Sequence, residues 1–253
     1  MLYPRLTAPV KDIETMPLQD SHGPASTILI IGASRGLGLA MAAEFLKKGW
    51  NVVGTVKNSA KTELHDLADE HPGRVEVELL DITEPDQITA LHDRLSGRCF
   101  EILFHNAGIA NANPHATVAA ASTEEFVRAM ITNALSPMRV IEGLQDLVSA
   151  DGLIGIMSLG QGSISNNEKG GAEVYRGSKA ALNQFMRCYA ARHAGESRAL
   201  VLMAPGWIRT ALGGPGAPFS VEEAIPEVVD VLLSQRGKPG LRYLDREGRT
   251  VPW

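Results

Sequence analysis

A tyrosine and a lysine four residues apart form the pair in this sequence best suited to chemistry. Tyr175 and Lys179 open a stretch with helical periodicity, so both side chains lie on one face of the predicted helix. A phenol with its ordinary pKa of about 10 transfers protons poorly at neutral pH. A neighbouring ammonium stabilises the phenolate and lowers that pKa. The spacing therefore predicts a proton-transfer pair suited to general acid–base catalysis.

A glycine-rich turn near the start of the chain is the second chemical feature. Gly32, Gly36 and Gly38 follow an apolar strand predicted at 27–31 and precede a helical pattern. Glycines in such a turn let backbone N–H groups approach a pyrophosphate at the helix N-terminus. The GxxxGxG spacing differs from the GxGxxG fingerprint, and a plain strand-to-helix connection is the alternative. The position of the turn, after the first strand of a repeating strand–helix chain, favours dinucleotide binding.

Charge near the end of the second predicted strand, 51–56, indicates which dinucleotide is bound. Sites for NAD usually place an acid there, where it binds the ribose 2′-hydroxyl. Residues 45–62 contain no Asp or Glu, whereas Lys57, Lys61 and Arg35 are cations. Ordinary solvated surface charge is the alternative interpretation of these three residues. Because cations favour a 2′-phosphate, the sequence predicts NADP(H).

Short apolar runs alternate with helical patterns between residues 27 and 204. Strands are predicted at 27–31, 51–56, 75–80, 102–104, 153–157 and 200–203, with strand-like residues again in 241–253. Helices are predicted at 37–48, 61–70, 85–95, 124–148 and 175–193. Such alternation is typical of a parallel sheet covered by helices on both faces. We predict an α/β fold, a single doubly wound, Rossmann-type domain with a seven-stranded parallel sheet.

Two segments depart from this alternation. Residues 1–26 contain four prolines and several charges without periodicity, which predicts a partly ordered N-terminal arm rather than a secretory signal. Residues 211–226 are rich in Gly and Pro. We expect a lid-like segment there that covers an apolar pocket together with Trp207 and Phe219, and a mobile surface loop is the alternative. The single catalytic domain is predicted to extend over 27–253.

Composition excludes several classes of partner. The 253 residues carry 24 basic and 29 acidic side chains, a net charge of −5, which gives no electrostatic case for binding nucleic acid or an anionic membrane. No apolar run is long enough to span a bilayer. The 2 cysteines and 7 scattered histidines show neither a disulfide framework nor metal-ligand spacing. We therefore predict a cytoplasmic protein with no metal, nucleic-acid or membrane partner.

These features, in this order, resemble the short-chain dehydrogenase/reductase family over nearly all of residues 27–253. The resemblance rests on the glycine turn, Asp81 after the third strand, His105-Asn106-Ala107-Gly108 where the family commonly has NNAG, Asn133, Tyr175-xxx-Lys179 and Pro205–Thr210 after the sixth strand. The ending Tyr243–Trp253 is similar to the branch of C-factor-like and sniffer-like carbonyl reductases.

The resemblance implies roles for three catalytic residues. Tyr175 is expected to be the general acid/base, and Lys179 is expected to lower its pKa and hold the nicotinamide ribose. Asn133 is expected to position a water that links Lys179 to a proton relay. The family also pairs the helices equivalent to 124–148 and 175–193, which implies a homodimer or homotetramer.

The resemblance also implies a set of cofactor-binding residues along the carboxyl ends of the strands. Asp81 is expected at the adenine and Thr210 near the carboxamide. Asn106 and Gly108 are expected beside the cofactor ribose. The full set comprises Gly32, Ser34, Arg35, Gly36, Leu37, Gly38, Lys57, Asp81, Ile82, Asn106, Ala107, Gly108, Tyr175, Lys179, Pro205, Gly206, Trp207, Ile208 and Thr210.

The sequence departs from the family pattern at the end of the fifth strand. The family has a serine there that hydrogen-bonds the substrate oxygen, usually the second serine of a pair. Here the residues are Ser158 and Leu159. A gapless comparison that aligns 162–163 places Leu159 at the serine position, whereas a shift by one residue places Ser158 there. We assign Ser158, because a short loop change is easier than loss of the hydroxyl, and Leu159 is the alternative. His105 is a lesser departure, expected to be a satisfied buried histidine.

Together these features predict an NADP(H)-dependent carbonyl reductase or alcohol dehydrogenase. A hydride would pass between nicotinamide C4 and a carbonyl carbon of a small molecule, with Tyr175 as the proton donor. The alternatives are an isomerase or another atypical pathway enzyme of this family, or a catalytically silent NADP-binding regulator. Intact Tyr175, Lys179 and Asn133 favour catalysis, whereas Leu159 at the serine position favours silence.

Overall fold

The computed structural model describes residues 25–111, 113–114 and 116–253, so residues 1–24 of the predicted arm lie outside the described part. The strands are β1 (Thr27–Ile31), β2 (Asn51–Val56), β3 (Val75–Leu79), β4 (Phe100–His105), β5 (Val148–Met157), β6 (Ala199–Ala204) and β7 (Gly240–Asp245). They form one sheet in the order β3-β2-β1-β4-β5-β6-β7. Every neighbouring pair is parallel, which confirms the predicted seven-stranded parallel sheet.

Helices cover both faces of the sheet. They are α1 (Gly36–Lys47), α2 (Glu63–Glu70), α3 (Pro85–Leu95), α4 (Thr123–Met130), α5 (Ser136–Leu144), α6 (Glu173–Arg192) and α7 (Val221–Gln235). One apolar layer joins the sheet to α3, α5 and α6, and the other joins it to α1, α2 and α7. The predicted doubly wound, Rossmann-type architecture is therefore confirmed.

The central strand shows why this sequence forms a sheet buried on both faces. Leu29 and Ile31 of β1 belong to the layer with α3, α5 and α6, whereas Ile28 and Ile30 belong to the opposite layer. All four side chains are fully buried. A continuous apolar run is typical of a parallel strand with helices on both sides, because successive side chains point to opposite faces.

The single helix predicted at 124–148 is wrong. Helix α4 gives way to a π-helical turn, Ile131–Leu135, before α5 begins, and β5 begins at Val148 rather than 153. Pro137, near the start of α5, has no amide hydrogen for the carbonyl of Asn133, and its ring crowds that carbonyl. The wider turn places Asn133 at a break of the kind often found at functional sites.

Residues 221–226, predicted to belong to the Gly/Pro-rich segment, form the start of α7 instead. Ser220 caps this helix: its Oγ accepts a hydrogen bond from the amide of Glu223 at 3.2 Å. The Glu223 carboxylate accepts one from the Ser220 amide at 2.7 Å. This reciprocal capping box, together with the apolar residues that follow, outweighs the local effect of Pro226.

Removing bulk from β1 tests the packing of the sheet. We expect Leu29→Ala to lower the free energy of unfolding by about 2–5 kcal/mol, because it leaves a cavity in a fully buried strand. The measurement is urea unfolding followed by circular dichroism. The matched control is Leu79→Ala, since Leu79 is 46% exposed and should change stability little. Equal losses in the two variants would contradict the assigned burial.

Candidate active site

The strand order creates a crevice at the carboxyl ends of β1 and β4. The chain runs from β1 towards β3 on one side of the sheet and from β4 towards β7 on the other. Ligands of open α/β sheets bind where the strand order reverses in this way. The glycine turn follows β1 and residues 106–108 follow β4, so these two predicted segments lie together at the crevice.

The other predicted cofactor residues also follow the strands at this edge. Asp81 and Ile82 come just after β3, Lys57 directly follows β2, and Pro205, Gly206, Trp207, Ile208 and Thr210 come after β6. Ser34 and Arg35 lie in the glycine turn, and Leu37 lies in the first turn of α1. The topology therefore brings the whole predicted set to one edge of the sheet.

The glycine turn packs against the segment after β4 at very short range. Asn106 Nδ2 donates a hydrogen bond to the carbonyl of Gly32 at 2.8 Å. A Cβ atom on Gly32 would lie 2.8 Å from Cβ of Ala107, and one on Gly38 would lie 2.1 Å from the Gly32 carbonyl oxygen. Gly32 also has a φ of +85°, in the region that favours glycine. Glycine is therefore required at both positions.

The N-terminus of α1 is open and uncapped. Arg35 at the N-cap makes no side-chain cap, and the first turn of α1 contains no acid. A Cβ atom on Gly36 would meet nothing within 4 Å. The first amides of a helix lack intrahelical partners and carry partial positive charge. This end of α1 can therefore accept a phosphate group.

Tyr175 and Lys179 lie in the first two turns of α6, close to the same edge. Lys179 is 4% exposed, and its Nζ donates a hydrogen bond to the carbonyl of Met157 at 2.9 Å. Burial lowers the pKa of Lys179 to about 8 and raises the pKa of Tyr175 to about 12. Burial is the cause of the raised pKa of the Tyr175 phenol, and the lowering expected from Lys179 stays a prediction.

Asn133 joins the π-helical turn to this site. Its Oδ1 accepts a hydrogen bond from the amide of Ile109 at 2.9 Å, and its Nδ2 donates to the Ile109 carbonyl at 2.8 Å. Nδ2 also lies 3.0 Å from Oγ of Ser178. A Cβ atom on Gly108 would lie 3.2 Å from Asn133 Oδ1 and 3.6 Å from Lys179 Nζ. Asn133, Gly108 and Lys179 therefore converge on one small volume.

Ser158 follows β5 and is buried, with an exposure of 3%. Its Oγ donates a hydrogen bond to Oδ1 of Asn183 at 2.6 Å. Tyr243 on β7 donates a hydrogen bond to the carbonyl of Leu159. The assignment of Ser158 as a catalytic residue stays a prediction. The sequence reasoning missed Asn183 and Tyr243, although Asn183 follows Tyr175 by eight positions on the same face of α6.

Lys57 and Asp81 form an ion pair with an N–O distance of 3.1 Å. Burial acts to raise the pKa of Asp81. Hydrogen bonds from Thr83 and the ammonium of Lys57 outweigh it and hold the pKa below its usual value. The residue expected at the adenine therefore lies beside one of the cations expected at the 2′-phosphate. Only the parallel pairing of β2 and β3 brings them together.

His105 is buried but not satisfied. Neither ring nitrogen has a hydrogen-bond partner within the described residues, so the expectation of a satisfied histidine is wrong. Burial, and secondarily the charge of Lys179, lowers the pKa of His105 to about 3. The ring is therefore neutral at physiological pH.

The segment after β6 is held by its own hydrogen bonds. Trp207 Nε1 donates to the carbonyl of Gly213 at 2.7 Å, and Thr210 Oγ1 accepts from the amide of Gly213 at 3.0 Å. Ile208 pairs with Phe219 in an isolated bridge. Trp207 and Leu212 are 57% and 52% exposed, so the segment presents apolar surface, and its role as a lid stays a prediction.

The described part of the chain contains neither a metal-binding cluster nor a membrane-spanning helix. No group of three or more His, Cys, Asp or Glu residues there could hold a metal ion. No helix there has both the length and the apolar character needed to cross a membrane.

Solved structures with the same fold give the first comparison. A short-chain dehydrogenase/reductase structure from Burkholderia multivorans, with bound NADP, is 64% identical to this chain, with a TM-score of 0.90. The match covers 91% of this chain and 100% of that one. A carbonyl reductase from Pseudomonas aeruginosa in complex with NADP is 31% identical, with a TM-score of 0.84 and coverage of 91% and 100%.

Sequence comparisons agree with the structural ones. The 1-hydroxy-2-glutathionyl-2-methyl-3-butene dehydrogenase of Rhodococcus is 28% identical over 235 residues, which cover 90% of this chain and 100% of that protein. A family model described as enoyl-(acyl carrier protein) reductase matches residues 32–227. That range includes the glycine turn, the segment after β4, the tyrosine–lysine pair and the segment after β6. The crevice and these matches together show that the chain belongs to the short-chain dehydrogenase/reductase family of oxidoreductases.

Proposed function

We propose that this protein binds NADP(H) in the crevice and transfers a hydride between the nicotinamide and a small carbonyl or alcohol substrate, as carbonyl reductases do. The observation that carries the proposal is the convergence of Lys179 Nζ and Asn133 Oδ1 on Gly108. Lys179 lies on α6, the helix that also carries Tyr175. The NADP bound in the two structural relatives supports the choice of cofactor.

The crevice fits a dinucleotide. The close approach at Gly32 and Gly38 leaves backbone where side chains would otherwise stand, and the open end of α1 suits the pyrophosphate. NADP(H) supplies the carbon that donates or accepts the hydride. Arg35, exposed in the turn, and Lys57, directly after β2, are the residues we propose to bind the 2′-phosphate. Lys57 would bind it while paired with Asp81.

Tyr175 is the proposed general acid/base. Because burial raises the pKa of its phenol to about 12, the group is protonated at neutral pH and ready to protonate a carbonyl oxygen during reduction. One N–H of the Lys179 ammonium donates a hydrogen bond to the carbonyl of Met157, and an ammonium has three N–H groups. The other two are available for ribose hydroxyls and a relay water.

Asn133 is proposed to act through its backbone as well as its side chain. Its amide is fully engaged with Ile109 and Ser178, which fixes the loop that carries Gly108. Pro137 offers no amide hydrogen to the Asn133 carbonyl. That carbonyl is therefore the group we propose to hold the relay water next to Lys179.

The proposed homodimer or homotetramer also has support. Phe126 of α4, Leu135 of the π-helical turn and Phe185 of α6 are between 40% and 42% exposed. They lie on the two helical segments that the family pairs. A cytoplasmic location and the identity of the substrate stay predictions.

One observation favours the second candidate, a catalytically silent NADP-binding protein. The Ser158 hydroxyl donates its hydrogen bond to Asn183. In this structure it is therefore not free to act as the serine donor that the family uses, beside the tyrosine, at the substrate oxygen. Cofactor binding without turnover would support this candidate.

Cofactor preference tests the charge argument. We expect NADPH to bind at least 10-fold more tightly than NADH, because a hydrogen bond to a charged group contributes about 1.5–3 kcal/mol. Arg35→Ala should weaken NADPH binding about 10-fold and leave NADH binding unchanged. The measurement is fluorescence titration with both cofactors. Equal affinities in the native chain would refute the preference.

Loss of the phenol tests the assigned acid/base. We expect Tyr175→Phe to lower kcat by about 10²-fold or more, because the ring remains but the transferable proton is lost. NADPH affinity, measured in parallel by fluorescence, should stay within threefold of the native value. A variant that reduces carbonyls at the native rate would overturn the assignment.

The buried ammonium predicts how stability depends on pH. The pKa of Lys179 is lowered from 10.5 to about 8 in the folded state, so the unfolded chain binds more protons between these values. Stability from this group therefore rises as pH increases from about 8 to 10.5. We expect Lys179→Met to stabilise the fold by about 1–3 kcal/mol at pH 7 and to remove that rise. Urea unfolding at pH 7 and pH 10 measures both effects, and an unchanged pH dependence would count against the burial of the charge.

A further inference from the structure

The end of β5 is held at each of three consecutive residues. Lys179 donates to the carbonyl of Met157 at 2.9 Å. The next residue, Ser158, donates to Asn183 at 2.6 Å, and Tyr243 donates to the carbonyl of Leu159. These bonds come from α6 and β7 and fix both the backbone and the side-chain directions at this point.

The direction of the bond between Ser158 and Asn183 is determined by a third group. Asn183 Nδ2 donates to the carbonyl of Gly162 at 3.2 Å, so its Oδ1 faces Ser158 and can only accept. A serine hydroxyl has one hydrogen to donate, and it is used here. Gly162 is also packed tightly, since a Cβ atom there would lie 3.0 Å from Cβ of Lys179. The Ser158 hydroxyl has no second hydrogen for a substrate.

The position of Asn183 along α6 also places Ser158 far from Tyr175, the proposed acid. Asn183 follows Tyr175 by eight residues of α6, or about 12 Å along the helix axis. Ser158 is hydrogen-bonded to Asn183, at this distance from Tyr175 along α6, and its exposure is 3%. Leu159 is one residue nearer the carboxyl edge and continues the extended backbone, with φ −161° and ψ 138°. Its side chain therefore points away from Asn183, and it is half-buried.

We propose that Leu159, not Ser158, borders the substrate beside Tyr175 and determines its specificity, while Ser158, Asn183 and Tyr243 are positioning residues that hold Leu159 there. This inference rests on the proposed reductase function. In the proposed reaction the C4–H bond of NADPH would break to leave NADP⁺, and its hydride would form a C–H bond at the carbonyl carbon. The C=O π electrons would go to the oxygen, which would take the proton of Tyr175, and the relay water beside Lys179 would return a proton to Tyr175.

An apolar side chain at this position selects among carbonyl substrates. The developing negative charge on the oxygen receives a hydrogen bond from Tyr175 but none from β5. An isolated ketone has no group that stabilises this charge, whereas the second carbonyl of a 1,2-diketone withdraws electron density and stabilises the developing alkoxide. The missing donor therefore costs an isolated ketone more. We infer that the preferred substrate class is carbonyls activated by an adjacent electron-withdrawing group.

Two ketones of matched shape test the inference with the full chain and NADPH. 2-Butanone is the isolated ketone and 2,3-butanedione, with the same carbon chain, is the activated one. We expect Leu159→Ser to raise kcat for 2-butanone at least 10-fold and to raise kcat for the dione less, because a donor is added beside Tyr175. Leu79→Ser makes the same change at a 46% exposed position on β3, outside the proposed site, and should give no gain.

Ser158→Ala completes the test. Because Ser158 is a positioning residue for Leu159, we expect the ratio of the two KM values to change and kcat for each ketone to fall by less than tenfold. The melting temperature should fall because Asn183 loses its buried partner. A 100-fold fall in kcat with an unchanged melting temperature would overturn the proposal, as would a Leu159→Ser variant without any gain. Should Ser158→Ala not fold, the comparison of Leu159→Ser with Leu79→Ser decides alone.

The outcome also separates this inference from the proposed function. A native chain that binds NADPH but reduces neither ketone would refute the reductase activity. Activity gained by Leu159→Ser in that silent chain would still support the placement of Leu159. If neither the native chain nor Leu159→Ser reduces either ketone, the placement of Leu159 is overturned as well.

Discussion

The close approach of two backbone segments at the middle of the sheet is the constraint on which the rest of this site depends. The turn after β1 and the segment after β4 are joined by the bond from Asn106 to Gly32, with no room for a Cβ on Gly32 or Gly38. This contact lies where the strand order reverses. It holds the open end of α1 and the loop with Gly108 on either side of one crevice. Any larger residue here would separate the two halves of the proposed cofactor site.

Buried polar groups at this crevice lower the stability of the fold. Lys179 is a buried cation held by one backbone carbonyl, and His105 beneath the crevice has two unpartnered ring nitrogens within the described residues. Burying such groups is unfavourable, and the apolar layers on both sheet faces compensate. A cofactor with ribose hydroxyls and anionic phosphates would provide partners for the ammonium and for the helix end.

The sequence predicted what depends on local pattern. Apolar runs such as 27–31 specify buried strands, because successive side chains point to opposite faces of a sheet. The glycine turn specifies a tight connection, because glycine allows backbone conformations that other residues rarely adopt. The type of sheet and the crevice were therefore predictable. Contacts between distant residues were not. The pairing of Lys57 with Asp81 depends on the register of β2 and β3, and the bond from Ser158 to Asn183 depends on how α6 packs on β5. The helix predicted at 124–148 failed because one proline, Pro137, changes the hydrogen bonding of the turn before it.

Loss of the serine hydroxyl does not by itself imply a silent protein. One preorganised donor to a developing oxyanion contributes about 2.7–4 kcal/mol to catalysis, whereas enzymes lower barriers by about 8–23 kcal/mol in total. A site that keeps the phenol of Tyr175, the buried ammonium of Lys179 and an oriented cofactor would retain most of that effect. The reduced stabilisation would mainly affect substrates that have no electron-withdrawing group beside the carbonyl. Leu159 in a reductase of this family therefore narrows the range of substrates and does not abolish the reaction.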